Sequence, residues 1–435
     1  MKQKTAEQQI IPIHKSGNPA LINRFAWRNL WRNPRRSLIL ILVTALGLMS
    51  SLFFYSLMQA WAKSMLDHTL NSLSGEVQLH APHYQDNPDV EHSMLLTSSQ
   101  LTQLKSLPIR DFSAHLKLPA MIKSEYETYP VLLLGVEPQT GRPLDFIRKT
   151  VHQGQFLNQD STYQIVIGAK LAKRLNTDLG RKVVLMSQGN DGKLKEIGLT
   201  IVGLYRHSDP NAEASMVFAD LKTVQNWLDI DNKYSEITLN SSQPLDIQQI
   251  LNDTPNSPLN RLKNRLKQAF PELDVQTWQS LQPFANASIK MMDSFNWVWI
   301  AMILVLMLFG MINTLLMSLY ERRREFTTLY TIGLKSSALR WMLLLELVWI
   351  LAIALLVSWG AMIALIASVS DGIDLGFLSE GAAWFGVDRI LYLNIEWQDW
   401  FDVSAAMVVT LIMIAAVPIW RSTRVAQLKP SNRIA

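Results

Sequence analysis

The stretch SLILILVTALGLMSSLFFYSLMQAW, residues 37–61, has no charged side chain in 25 consecutive positions. As a helix rising 1.5 Å per residue it is about 37 Å long, enough to cross a hydrocarbon core ~30 Å thick. Three further stretches of the same kind follow, at 297–320, 341–369 and 401–420. Between the first and second lies an insert, residues 62–296, of ordinary globular composition and far too long for a connecting loop. The pattern predicts an α-helical membrane protein with four transmembrane helices and a large extracytoplasmic α+β domain inserted between helices 1 and 2.

The wider composition agrees. The chain has 435 residues, 49% of them hydrophobic, yet its mean hydropathy is only +0.09. That average blends four very apolar stretches with an insert large enough to bury a core of its own. There are no cysteines, which excludes disulfides and every Cys-dependent metal or redox site. Many of the 14 Trp stand near the ends of apolar stretches, as at Trp27, Trp31, Trp61, Trp297, Trp341, Trp397, Trp400 and Trp420, where amphipathic rings favour the headgroup level. The first apolar stretch begins only after 36 residues and is longer than the apolar region of a signal peptide, so it reads as an uncleaved anchor.

Charge orients the chain. Residues 1–36 hold eight basic side chains against Glu7. Arg322, Arg323, Arg324, Lys335 and Arg340 follow the second span, and Arg421, Arg424, Lys429 and Arg433 follow the fourth. The 370–400 stretch is acidic instead, with Asp371, Asp374, Glu380, Asp388, Glu396 and Asp399 against Arg389. Under the positive-inside rule both termini and the 321–340 loop are cytoplasmic, and the insert and the 370–400 loop lie outside.

Local reading assigns residues 1–19 to a polar disordered tail and 20–36 to an amphipathic interfacial helix. Trp27, Arg28, Trp31, Arg32, Arg35 and Arg36 anchor that helix at the membrane surface. In the insert, 75–82, 129–138, 163–175, 182–188 and 197–205 carry β-rich runs. Residues 98–107 read as a helix opened by a Ser cap, 220–228 as another helix, and 190–193 as a hairpin tip. Three Pro among Asn and Ser in 241–262 suggest a linker or lobe boundary, and 62–74 and 277–296 are compatible with helices continuing the first two spans outward as a stalk. The 321–340 loop reads as a short amphipathic helix, the 370–400 stretch as a loop, and 421–435 as a tail. His80, His83 and His92 fall in what reads as a solvated loop, and no spacing suggests a metal site or a catalytic nucleophile.

Among the polar residues inside apolar stretches two stand out: Asn313, suited to hydrogen bonding across helices, and Glu346, whose charge costs roughly 2.5 kcal/mol or more at the bilayer centre unless paired. Arg340 or another basic residue at the cytoplasmic rim is the partner expected for Glu346.

The loop after the second span resembles the MacB/LolE/FtsX superfamily of ABC-transporter permeases. Asn313, Glu321, Arg322, Arg324, Glu325, Leu329 and Gly333 stand at the positions of its N-x7-E-R-x-R-E-φ-x-x-L-x-x-φ-G stretch, where φ is hydrophobic. RFAWRNLWRNPRRS at 24–37 is similar to the lipoprotein-releasing permeases, and PIWRSTRVAQLKP at 418–430 to the family's C-terminal ending. In the insert, residues 165–185 and 201–205 resemble the family's periplasmic core. Thr327, where the family has a small Gly, and Tyr330, often Arg, depart from the pattern.

This resemblance implies a bacterial inner-membrane permease with no catalytic residues of its own. The chain has no G-x-x-x-x-G-K-[ST], so ATP and Mg would be bound by a dimeric partner ABC ATPase seated on the 321–340 coupling helix. A second permease copy, identical or a sister chain, is implied, together with membrane lipid and a periplasmic adaptor or lipoprotein, and no nucleic acid. The resemblance points to lipoprotein or lipid-linked cargo. Peptide or drug efflux with an adaptor, and FtsX-like regulation of a periplasmic hydrolase, stay open.

Overall fold

The computed structural model describes residues 19–70, 75–86, 88, 92–107, 109–138, 147–158, 161–207, 210–242, 247–252, 254–321, 328, 336–394 and 396–425. The chain divides into two compact units. One takes the described residues up to Met58, with Ser294–Gly372 and those from Tyr392 onward; the other takes Gln59–Asp293 and Ile373–Leu391.

The first unit is helical. Five long helices are α1 (Pro19–Leu30), α2 (Pro34–Thr69), α3 (Pro283–Glu321), α4 (Ser336–Ser368) and α5 (Trp397–Val425). The last four are long and apolar enough to cross a membrane. The amphipathic helix expected over 20–36 stops at Leu30. A turn at 31–33 follows, and α2 begins at Pro34, whose fixed φ and missing N–H suit the first turn of a helix. All four spans overrun their sequence bounds, α5 running Trp397–Val425, and the outward ends of α2 and α3 are the helical continuations expected within 62–74 and 277–296. Thus α2 continues to Thr69, α3 starts at Pro283, and residues 336–340, expected in a loop, open α4.

These helices share one apolar core, with Leu48 and Leu52 on α2, Met307 and Met311 on α3, Leu347 and Leu351 on α4, and Met407 and Leu411 on α5. At Gly47 an added Cβ would lie 2.4 Å from Met307 Sδ, so the Met307 side chain of α3 packs over this glycine of α2 and would have to shift for a larger residue. Near the start of α5, Trp400 Nε1 donates to Ser56 Oγ at 3.1 Å, Tyr55 OH to Asp399 Oδ2 at 3.0 Å and Trp359 Nε1 to Ser404 Oγ at 3.1 Å.

The second unit is built on a sheet. Its strands are β1 (Val77–His80), β3 (Ile109–Lys123), β4 (Thr128–Val136), β5 (Val151–Gly154), β6 (Gln164–Gly168), β7 (Lys182–Gln188), β8 (Leu194–Tyr205), β9 (Met216–Asp220), β11 (Glu236–Ser241) and β12 (Asp274–Thr277). The order is β12-β1-β11-β3-β4-β9-β6-β8-β5, with β7 pairing β3 and β8. A pair of two-residue strands, β2 (Met94–Leu95) and β10 (Lys233–Tyr234), lies beside it. Most pairs are antiparallel; β4 with β9 and β6 with β8 are parallel. The expected hairpin tip joins β7 to β8, Gly189 N donating to Lys193 O and Gly192 taking φ +72.

Several insert expectations need correction. The helix Ser98–Lys105 is capped by Thr97, not Ser98, in a capping box with Gln100. Residues 241–262 are no linker between lobes. They finish β11 and carry the helices Ile247–Asn252 and Pro258–Ala269 within the same unit, because Leu259, Leu262 and Leu266 supply a buried face that the prolines do not interrupt. The longest strand, β3, escaped the sequence reading because Pro119 sits inside it. β3 pairs with β11 up to His115 and with β7 from Met121, so Pro119 falls where one side of the strand has no ladder partner and its missing N–H is tolerated.

His80 is not in a solvated loop. It lies on β1 and is 1% exposed. Register sets His80 beside Glu236 on β11, and Glu236 beside His115 on β3, in a buried row of ionisable side chains. Lys117 Nζ donates to Glu236 Oε1 at 3.1 Å, His80 Nε2 lies 2.9 Å from Gln78 Oε1, and Tyr84 stacks on the His80 ring. Burial drives the His115 pKa down to about 4, Glu236 opposing and Lys117 assisting, and burial lowers that of His80 as well.

The 370–400 stretch is more than a loop. β13 (Ile373–Asp374) pairs with β14 (Ile390–Leu391), and between them come a 3-10 turn, Gly376–Leu378, and a helical turn, Ser379–Trp384. Residues 373–391 belong to the sheet-bearing unit.

Candidate functional site

The sequence-singled residues converge on one end of the helical unit. There α1 packs along α4 with Ala26 and Leu30 fully buried. Trp27 meets Trp349 edge-on, ring centroids 4.9 Å apart, and Trp349 Nε1 donates to Asn23 Oδ1 at 2.7 Å. One turn along, Asn29 Nδ2 donates to Glu346 Oε2 at 3.2 Å. Glu346 thus accepts from an amide on α1, a contact that the expectation of Arg340 or another basic residue did not include. A helix read as lying on headgroups therefore has Ala26 and Leu30 buried and Trp27 against α4, with Phe25, and Trp31 in the turn that follows, exposed.

The turn after α1 aims Arg36 at the far end of α3. Ser37 Oγ donates to Leu30 O at 2.7 Å and holds the corner. Arg36 Nη1 then donates to Glu321 Oε2 at 2.9 Å, and Nη2 donates to the Thr314 carbonyl. The guanidinium bridges the last residue of α3 and a carbonyl two turns earlier. Arg36 keeps 23% of its side-chain surface exposed and Glu321 48%, so this is a half-wet ion pair worth at most ~1 kcal/mol.

Two hollows adjoin these groups. A small cavity of about 30 Å³ lies among Asn33, Arg36, Ser37, Thr314, Leu343 and Glu346. An open groove of about 600 Å³ is lined by Asn33, Arg35, Arg36, Asn313, Thr314 and Glu321 among others. Asn313, considered as cross-helix glue, instead lines this groove. Glu321, Glu346, Asn313, Arg35 and Arg36 are thus gathered at one site. Arg28 and Arg32 are exposed on and just after α1. Arg322, Arg324, Glu325, Leu329 and Gly333 lie outside the described residues. Asn29, Asn33 and Thr314 were not singled out, although the first two sit within the RNLWRNPRR stretch. Among the described residues no group of three His, Asp or Glu could hold a metal ion.

Two family models match. The FtsX-like permease C-terminal model covers residues 297–426, and the MacB-like periplasmic core domain model covers 37–255, half of the chain. The chain belongs to the MacB/FtsX-like permease superfamily. The permease is also similar to solved structures. The periplasmic region of MacB from Actinobacillus actinomycetemcomitans is 13% identical over 49% of this chain and 92% of that one, with a TM-score of 0.34. The extracellular domain of YknZ, a noncanonic ABC-type transporter from Gram-positive bacteria, is 15% identical over 46% and 99%, with a TM-score of 0.31. A domain of a putative permease from Porphyromonas gingivalis is 13% identical over 46% and 86%, with a TM-score of 0.23. No curated protein matches the chain. Membership makes this a multi-pass membrane protein of the ABC permease type, a family that implies a partner ATPase.

Proposed function

We propose that the chain is the non-catalytic membrane subunit of an ABC transporter, and that the 321–340 segment is where a separate ATPase dimer, holding ATP and Mg, pushes on it. The observation that carries this reading is how the segment's borders are tied. Glu321, at its start, is bonded to Arg36, and Glu346, ten residues into the helix after it, is bonded to Asn29. A displacement of the segment must move the α1–α2 corner with it or break these bonds. Both α2 and α3 run without interruption from the helical unit into residues of the sheet-bearing unit, so each can carry such a displacement along its length. In this reading both termini face the ATPase, two permease copies (identical or sister chains) act together, and the sheet-bearing domain works on the far side of a bacterial inner membrane.

Few ionisable groups interrupt the spans, which disfavours a hydrophilic conduit through the bilayer. Cargo taken from the far leaflet or the periplasm fits better, and the N-terminal motif supports lipoprotein or lipid-linked molecules.

The test is affinity purification of the tagged full chain in mild detergent after cross-linking, followed by mass spectrometry and an ATPase assay. An ABC ATPase should co-purify, and its activity should fall in Glu325→Lys and Arg324→Glu. Lipoproteins in the same eluate support extraction, an adaptor points to efflux, and a cell-wall hydrolase to regulation. Absence of any ATPase from a cross-linked preparation sinks the transporter reading.

A further inference from the structure

The segment Gly376–Phe385 presents its most apolar side chains outward while its base is firmly held. At the base, β13 pairs with β14, and Arg389 clamps Asp374 with two bonds, Nε to Oδ1 and Nη2 to Oδ2, each 2.9 Å. That clamp and the Gly376 N–H hold the Asp374 carboxyl down at about 2. On one side the segment is packed. Ala382, Val387 and Leu391 are buried, Phe385 stacks on Phe284 at 6.2 Å, and the Asp388 N–H donates to Ser64 Oγ at 2.9 Å. On the other side Phe377 is 91% exposed and Leu378 54%.

A Phe left in water forgoes roughly 1.5–3 kcal/mol of burial, and a clamped loop cannot recover it by collapsing. The surroundings say what would cover it. Phe377 stands nine residues after Ser368, where α4 ends, a reach of at most about 30 Å, and the chain then returns to α5. Both flanks of the segment are membrane spans. From Leu375 to Val387 the sequence is LGFLSEGAAWFGV, with one charged residue in 13 and three aromatics, while acids gather at its two ends. An apolar tip tethered to two spans can bury its side chains at the headgroup and acyl boundary, where binding scales with the apolar area buried, and its acidic rim disfavours an anionic surface.

We infer that Phe377 and Leu378 insert into the lipid headgroup and acyl boundary of the leaflet at which α4 ends and α5 begins, as a membrane rest for the 373–391 segment. The occupant is the bilayer itself, not cargo and not a second protein. The proposal is independent of the partner ATPase and of the cargo.

The chain has no cysteine, so single labels are clean. An environment-sensitive NBD fluorophore would be placed at Phe377→Cys, at Leu378→Cys and, as reference, at Asp191→Cys on the β7–β8 hairpin. The full chain would be reconstituted without any partner in phosphatidylcholine–phosphatidylethanolamine vesicles, with and without lipid carrying a shallow nitroxide. Quenching several-fold stronger at 377 and 378 than at 191, with blue-shifted emission, is the expected result. Emission and quenching at 377 and 378 equal to the hairpin reference would overturn the inference. So would protection that appears only when lipoprotein or a second protein is added, since that assigns the tip to cargo or partner. Phe377 is almost wholly exposed, so its replacement removes little packing; if one label site fails to fold, the other carries the measurement.

Discussion

The two units treat their polar side chains in opposite ways. In the sheet, His80, Glu236 and His115 are locked side by side by strand register and have almost no contact with solvent. At the end of the helical unit, Arg36, Glu321, Asn29 and Glu346 pair across helices and stay half wet. A buried polar row is costly to disturb, so it holds one conformation. A half-exposed pair is nearly isoenergetic with its hydrated, broken state, so it can open and close in a working cycle. The difference separates a rigid tool from a moving joint, and it can be broken at either end.

The largest effect should come from acid. The unfolded chain takes up a proton on His115 as pH falls through about 6.5, but the folded chain does so only near 4. Across that window the unfolded state binds more protons, so stability falls as pH falls; above it this group adds no pH dependence. The loss should approach ~3 kcal/mol by pH 4. Hydrogen exchange of the β3 and β11 amides in the full chain, measured across this range, checks it. A wild-type profile flat between pH 6.5 and 4, or one unchanged in His115→Gln, would show that the row is not what titrates.

Next comes Glu236→Ala. It leaves Lys117 and His80 without their carboxylate inside the sheet, and should cost about 2–3 kcal/mol, discounted because Lys117 is partly exposed. Thermal unfolding of the full chain followed by the same exchange probe reads it. Glu236→Gln, which keeps the shape and one acceptor, should lose less. Equal loss for both would mean that packing and not charge holds the row together.

What the sequence made legible follows from the same contrast. Spans and insert were plain because a bilayer demands long apolar runs. The strands that read clearly, β4, β7 and β8, are β-branched and bounded by turn residues. β3 was hidden by Pro119 and by the very polarity of its His115 and Ser113. Nothing in VQLH or EITLN says that histidine and glutamate will face one another, because that depends on a register between strands about 160 residues apart in the chain. The site was half visible. Glu321, Glu346, Asn313 and the arginines stood out as charges or amides beside apolar runs, whereas Asn29 looked like one more polar residue on an amphipathic helix. Its role required knowing that α1 turns back along α4.

The smallest effect on stability, and the most telling for function, should come from Arg36. Arg36→Gln removes a pair with about half of Glu321 in solvent, so unfolding should shift by less than ~1 kcal/mol. ATPase activity of the assembled complex should nevertheless fall, because the α1–α2 corner would no longer follow the end of α3. Arg36→Lys keeps the charge but cannot reach Glu321 and the Thr314 carbonyl from one planar group, so it should restore only part of the activity. The exchange Arg36→Glu with Glu321→Arg should do better than either single reversal, since it restores the pair, though not the bond to Thr314. If Arg36→Gln hydrolyses ATP and moves cargo at the wild-type rate, the helical site is a static fastening like the row in the sheet. The contrast between tool and joint would then have to rest on residues 322–335 alone.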